Sequence, residues 1–98
     1  MDRVIELTTV LRETVKGYVR PSPNATMYFA ENVENEAFVA ISIPHSRNPQ
    51  SRVVVFGRIV DGKVVIETDI TNKPLHEALM QAGIPRDQIV LAYQGETA

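Results

Sequence analysis

The most informative part of the chain is residues 61–93, which read DGKVVIETDITNKPLHEALMQAGIPRDQIVLAY. Asp61-Gly62 separates two β-prone runs, and an Asp-Gly pair can place both central residues at positive φ, as a tight hairpin turn requires. Asp69 and its neighbours then offer capping groups, with Pro74 near the start of a helix. Gly83-Ile84-Pro85 ends that helix, because glycine suits the left-handed position after a helix and proline prevents continuation. The segment therefore predicts a hairpin, a helix and a final β-prone run.

Outward from this segment, hydrophobic periodicity predicts the remaining elements. They are an amphipathic helix over 2–18, strands over 26–33, 37–43, 52–60 and 63–68, a second helix over 74–82, and a short strand or buried extended segment over 89–93. The apolar face of the first helix consists of Val4, Leu7, Leu11, Val15 and Tyr18. We interpret this face as packing on the sheet rather than binding a partner, because one domain over 1–98 needs it for its core.

The composition excludes several classes of protein. The formal charge of −2 argues against a protein that coats nucleic acid by charge alone, since such binding needs clustered Lys and Arg. The sequence contains no cysteine, so disulfides, thiolate catalysis and cysteine metal sites are excluded, and a reducing cytoplasm is expected. No apolar run approaches the roughly 20 residues of a membrane helix, so no membrane association is expected.

Two carboxylates on the predicted fourth strand are the strongest candidates for chemistry. Glu67 and Asp69 lie two residues apart, so both are expected to project from one face, where they could bind a hard cation or act as acid and base. The alternative is structural: Asp69 can accept backbone N–H groups at the strand-to-helix turn, and Thr71 can cap the helix. We favour the structural interpretation. His45 and His76 fall in different elements without further ligands at zinc spacing, so no metal, cofactor or catalytic site is predicted.

The richest polar stretch is the connection over 44–52. Arg47 and Arg52, with serines between them, could hold a phosphate or the carboxylate of a partner. The stretch lacks the glycine-rich turn into a helix that a nucleotide loop needs, and the alternative is a solvated loop. We predict His45, Arg47 and Arg52 as the candidate docking residues.

The segment from Asp61 onward resembles the XisI family, the controlling factors for excision of the fdxN element in cyanobacteria. That family typically has Asp-Gly-Lys, then a spaced Asp and Thr, and after the helix Gly-Ile-Pro and an Ile-Val-Leu-(Gly or Ala)-aromatic segment. The matching residues are Asp61, Gly62, Lys63, Val64, Ile66, Asp69, Thr71, Leu79, Gly83, Ile84, Pro85 and Ile89 to Tyr93. We interpret these motif residues as structural rather than catalytic.

The resemblance implies a fold and a role. The fold would be α+β: an antiparallel β-meander of four to five strands, with an N-terminal helix and a second helix near the C-terminus packed on it. The role would be that of a non-catalytic regulator in programmed excision of a DNA element. It would act by docking on a XisH-like partner, itself similar to restriction-type nucleases, and together with a site-specific recombinase.

Three alternatives stay open at this point. The protein could be a direct DNA-binding accessory protein, an antitoxin-like inhibitor of a partner nuclease, or a metal-dependent hydrolase that uses Glu67 and Asp69. The oligomeric state also stays open, because a partly apolar third or fourth strand at a sheet edge could pair with its own copy in a homo-oligomer.

Overall fold

A computed structural model describes residues 6–46 and 50–97. The elements are α1 (Leu7–Lys16), β1 (Ala25–Asn32), β2 (Ala37–Pro44), β3 (Arg52–Val60), β4 (Lys63–Asp69), α2 (Leu75–Gln81) and β5 (Ile89–Leu91), with single 3-10 turns at Arg86–Gln88 and Ala92–Gln94. The predicted α+β class is confirmed. The predicted first helix continues to residue 18, whereas α1 ends at Lys16, and residues 2–5 of that prediction lie outside the described residues. Neither α-helix in the described ranges has the length and apolar character to cross a bilayer.

The five strands form one sheet in the order β1-β2-β3-β4-β5. The first four pair antiparallel as a meander, as expected. The fifth strand differs, because α2 carries the chain back along the sheet and β5 therefore lies parallel to β4. The sheet is mixed, and its outer strands are β1 and β5. The alternative in which β3 or β4 lies at an edge of the sheet is wrong, since both strands are paired on both sides.

The predicted turn and helix end are confirmed in backbone detail. Asp61 has a φ of 50° and Gly62 a φ of 76°, as a tight hairpin between β3 and β4 demands. Gly83 has a φ of 106°, and the N–H of Ile84 donates to the carbonyl of Leu79 at 3.1 Å. This 6→1 bond is the signature of the Schellman motif and closes the end of α2.

Both helices pack on one face of the sheet. Leu11 in α1 and Leu75 in α2 are fully buried. A Cβ at Gly57 would lie only 2.9 Å from Leu11 Cδ1, so the missing side chain in β3 permits the close approach of α1. The sheet and the segment after α2 complete this core with Phe38, Ala40, Val55, Val64, Ile66, Ile84, Ile89 and Leu91.

The opposite face of the sheet, which we call the open face, is apolar and less covered. The register places Tyr28 of β1, Ile41 of β2 and Val53 of β3 side by side on it. Tyr28 is 50% exposed, and Ile41 and Val53 are half-buried. The helices thus bury one side of the sheet much more completely than the other.

Candidate docking site

Two of the three predicted docking residues lie in one cleft at the end of the sheet. His45 follows β2 and Arg52 begins β3, and both line a cleft of about 870 Å³ together with Asn24, Ser42 and Ser51. Arg47 lies outside the described residues. The antiparallel pairing of β2 with β3 brings the two residues to the same end of the sheet, because β2 ends beside the start of β3.

The two side chains in this cleft have different environments. The Nε2 atom of His45 lies 2.9 Å from Thr26 Oγ1, and its backbone N–H donates to the carbonyl of Asn24 at 2.9 Å, so this residue is held against β1. Arg52 is exposed and has no hydrogen bond or ion pair to the part of the chain that the structure describes. A guanidinium in this condition has its planar donors available for a carboxylate or a phosphate.

A second cleft, of about 860 Å³, lies between the end of α1 and the loop before α2. The hydroxyl of Tyr18 donates to the carbonyl of Lys73 across it at 2.5 Å, and burial raises the pKa of the Tyr18 phenol. Its charged lining is mixed, with Glu13 and Glu77 beside Arg20 and Lys73. The second cleft therefore has no single sign of charge with which to select a partner.

Asp69 is engaged by the backbone around α2. Its Oδ1 accepts from the N–H of Thr71 at 2.9 Å, and its Oδ2 accepts from the N–H of Leu75, the first residue of the helix, at 2.6 Å. Pro74 occupies the N-cap position and has no side-chain acceptor, so Asp69 performs the capping from a distance. Thr71 does not cap the helix: its hydroxyl lies 2.7 Å from Asp69 Oδ1 and 2.8 Å from the carbonyl of Lys73.

The expectation that Glu67 and Asp69 share a face is wrong. The register passes from Gly57↔Ile66 directly to Phe56↔Thr68, so Glu67 is the extra residue of a β-bulge. The bulge interrupts the alternation of side chains. Glu67 accordingly forms an ion pair with Arg58 at 2.8 Å on the open face, whereas Asp69 faces the helices. The two carboxylates cannot act on one cation or one substrate.

Residues 6–46 and 50–97 contain no group of three or more His, Asp or Glu side chains arranged to hold a metal ion. His76 is half-buried, and its Nδ1 has no hydrogen-bond partner in those ranges.

The other family-motif residues are dispersed over the fold. Asp61, Gly62 and Lys63 form the turn and the start of β4, Gly83 and Pro85 follow α2, and Tyr93 lies in the last 3-10 turn rather than in a strand. Burial raises the pKa of the Tyr93 phenol, although its side chain is 36% exposed. These residues do not converge on one site.

The sequence did not predict one ion pair at the edge of the sheet, Arg86 with Glu96. Arg86 Nη2 lies 2.7 Å from Glu96 Oε2, and both side chains also bind the backbone of β5. A separation of ten residues in an irregular segment has no periodic signal, so only the fold reveals this pair.

Comparison with known proteins agrees with the resemblance noted above. The model of the family described as XisI protein matches residues 1–98. The chain belongs to the XisI family. A search of curated proteins gave no match.

Two solved structures share the XisI-like fold. A XisI-like protein from Anabaena variabilis has a TM-score of 0.82 and 20% identity, covering 92% of this chain and 86% of that chain. The fdxN element excision controlling factor XisI from the same organism has a TM-score of 0.73 and 21% identity, covering 89% of this chain and 88% of that chain. At these identities the likeness establishes the fold.

Proposed function

We propose that this chain is a non-catalytic controlling factor that acts by docking on a XisH-like partner, in concert with a site-specific recombinase, during programmed excision of a DNA element. Membership in the XisI family supports the general role. The absence of cysteine from the 98 residues supports a reducing compartment, and we propose that the protein acts in the cytoplasm of a cyanobacterium.

The observation that carries this proposal is the state of Arg52. Its guanidinium is exposed in the cleft with His45 and is not neutralised by a carboxylate in the described ranges. By contrast, Arg12, Arg58 and Arg86 all form ion pairs within the fold. A cation that the fold leaves unpaired in a polar cleft is suited to an acidic side chain of a partner.

The arrangement of the carboxylates supports a role without catalysis. Asp69 is engaged in capping α2, and Glu67 is paired with Arg58 on the opposite face of the sheet. General acid-base chemistry needs a proton donor or acceptor that is aimed at a substrate. Neither of these carboxylates is free to do this, so the exterior of the protein is the better candidate for function.

Binding of the purified protein to a co-expressed XisH-like protein tests the proposal. Arg52→Glu, alone and together with Arg47→Glu, is expected to lower the affinity by about tenfold or more, because it opposes like charges at the contact. Arg20→Glu is the matched control, since it makes the same charge change at the second cleft. All variants should keep the thermal midpoint of the parent protein.

Two results would overturn the docking model. One is an affinity for the XisH-like protein that does not change in either Arg52 variant, which would show that this cleft is not the docking site. The other is tight binding of the isolated protein to duplex DNA with a steep dependence on salt, which would indicate direct phosphate contacts. Loss of nuclease activity of the partner on binding would instead mark the docked protein as an antitoxin-like inhibitor.

A further inference from the structure

The outer strand β1 has one row of backbone groups without partners. The N–H of His45 donates to the carbonyl of Asn24 at 2.9 Å, and hydrogen-bonded pairs alternate along an antiparallel ladder. Thr26, Tyr28, Ala30 and Asn32 therefore direct their N–H and C=O groups toward β2. The groups that point outward belong to Ala25, Met27, Phe29 and Glu31, and none of them has a hydrogen bond within the part of the chain that the structure describes.

This edge also lacks most of the devices with which proteins block strand addition, and its one charged residue, Glu31, is paired with Arg12. The strand is eight residues long, and its register to β2 runs without a bulge from Ala25↔Pro44 to Asn32↔Ala37. Its sequence, ATMYFAEN, contains no proline and no lysine. Bulges, prolines and lysines are the usual protections of an edge strand, so β1 is a ready template for another strand.

The sequence of β1 is complementary to itself in one antiparallel register. With a twofold axis at Tyr28, Ala25 lies opposite Glu31 of the second copy and Met27 lies opposite Phe29 of the second copy. Each of the four outward residues then lies opposite an outward residue of the second copy. These four pairs give about eight hydrogen bonds, since each pair exchanges two. A shift of the axis by two residues leaves some of these groups unpaired.

The side chains favour the same register. Glu31 is held in an ion pair with Arg12 at 2.9 Å and would face an alanine, so the two Glu31 carboxylates do not oppose each other. Tyr28, which is 50% exposed on the open face, would pack against Tyr28 of the second copy. On the helix side, the partly buried Met27 and Phe29 would extend the two cores toward each other.

We propose that β1 docks on β1 of a second copy of this chain, so that two five-stranded sheets join in antiparallel register about a twofold axis at Tyr28. The contact is isologous, as closed dimers require. A single strand pair buries less than the roughly 1,200 Å² of a stable complex, so we expect a weak dimer that forms only at high protein concentration. This inference does not depend on the docking cleft or on a XisH-like partner.

Cysteine cross-linking of the purified protein tests the register, because the chain has no cysteine of its own. Tyr28→Cys is expected to form a disulfide-linked dimer under mild oxidation. The reason is that residues facing each other at a non-hydrogen-bonded position have Cα atoms about 4.5 Å apart, within the roughly 4.4–6.8 Å that a disulfide spans. Thr26→Cys and Ala30→Cys should not cross-link alone, but a mixture of the two should, since Thr26 faces Ala30 of the second copy.

A charge variant tests the same contact without covalent cross-linking. Tyr28→Lys places two ammonium groups opposite each other and is expected to weaken the dimer at least tenfold in sedimentation velocity. Thr26→Lys adds the same charge to the same exposed face, but it faces alanine and should change the dimer affinity by less than about threefold. Circular dichroism verifies that both variants are folded.

The proposal is overturned by a monomer at all concentrations together with no cross-link in the Tyr28→Cys protein. It is equally overturned if Thr26→Cys or Ala30→Cys cross-links alone as readily as Tyr28→Cys. In either case the edge would be open to another occupant, such as a strand of the partner protein. These outcomes leave the test of Arg52 untouched, because that test measures a different complex.

Discussion

The two outer strands of the sheet differ in whether their outward backbone N–H and C=O groups have hydrogen-bond partners within the chain. At β5 the outward backbone groups are occupied by the protein itself: Arg86 Nη1 donates to the carbonyl of Ile89 at 2.7 Å, and the N–H of Leu91 donates to Glu96 Oε1 at 2.9 Å. The N–H of Glu96 closes the row by donating to the carbonyl of Leu91 at 3.1 Å. At β1 the outward backbone groups of four residues, Ala25, Met27, Phe29 and Glu31, have no partner in the part of the chain that the structure describes.

Association is expected at β1 rather than at β5. Unpaired strand edges invite pairing with another chain, and proteins usually cover or charge them. Here the ion pair of Arg86 and Glu96 covers the three-residue edge, although that edge is the shorter template. The longer edge remains unprotected. We therefore expect selective pairing at β1 and none at β5.

The largest expected effect is a difference in stability between proline at a β1 position bonded to β2 and proline at a β1 position that points outward. Proline lacks an N–H group, so Ala30→Pro removes a ladder bond to β2, whereas Ala25→Pro removes only an outward N–H that has no partner in one chain. We expect Ala30→Pro to lower the free energy of unfolding by about 1–3 kcal/mol more than Ala25→Pro in urea denaturation. Equal losses for these matched alanine positions would contradict the assignment of the two rows.

A smaller effect is expected from exposing the closed edge, by which we mean the outer side of β5 that Arg86 and Glu96 cover. Glu96→Ala removes the acceptor of the Leu91 N–H and the partner of Arg86. We expect faster hydrogen exchange of the Leu91 amide and increased self-association, because β5 then becomes a second open edge. Glu34→Ala, at an exposed glutamate in the β1–β2 turn, is the control and should leave both quantities unchanged. Unaltered exchange at Leu91 in the Glu96 variant would show that the side chain does not protect β5.

The smallest expected effect is on proton binding at the closed edge. The N–H of Leu91, and secondarily Arg86, hold the pKa of Glu96 below its ordinary value of 4.5. A carboxyl with a lowered pKa in the folded state contributes stability above about pH 4.5, and this contribution is lost as the pH falls through the lowered pKa. Protection of the Leu91 amide should therefore decrease in that acidic range.

A carboxyl titration by NMR apportions the causes of this shift. Arg86→Ala should move the pKa of Glu96 only part of the way back toward 4.5, because the hydrogen bond from Leu91 remains. A complete return would assign the lowered pKa to Arg86 alone. The titration thus measures how much of the closed edge depends on the ion pair and how much on the backbone.

Much of the local structure could be predicted from the sequence. The turn at Asp61-Gly62, the end of α2 at Gly83 and the role of Asp69 before α2 all follow from residue types with strong backbone preferences. The bulge at Glu67 could not be predicted, because it depends on how β4 aligns with β3. Of the candidate docking residues, His45 and Arg52 do lie together, but their common cleft results from the pairing of strands.

The order of the elements, their turns and the burial of one helix face follow from the sequence, since they depend on dihedral preferences and periodicity within a few residues. The parallel direction of β5, the outer position of β1 and the pairing of Arg86 with Glu96 over the other edge become visible only in the assembled fold. The physical reason is that the hydrogen-bond partners of a strand come from distant parts of the chain. Which backbone groups stay unpaired is therefore a property of the assembled sheet.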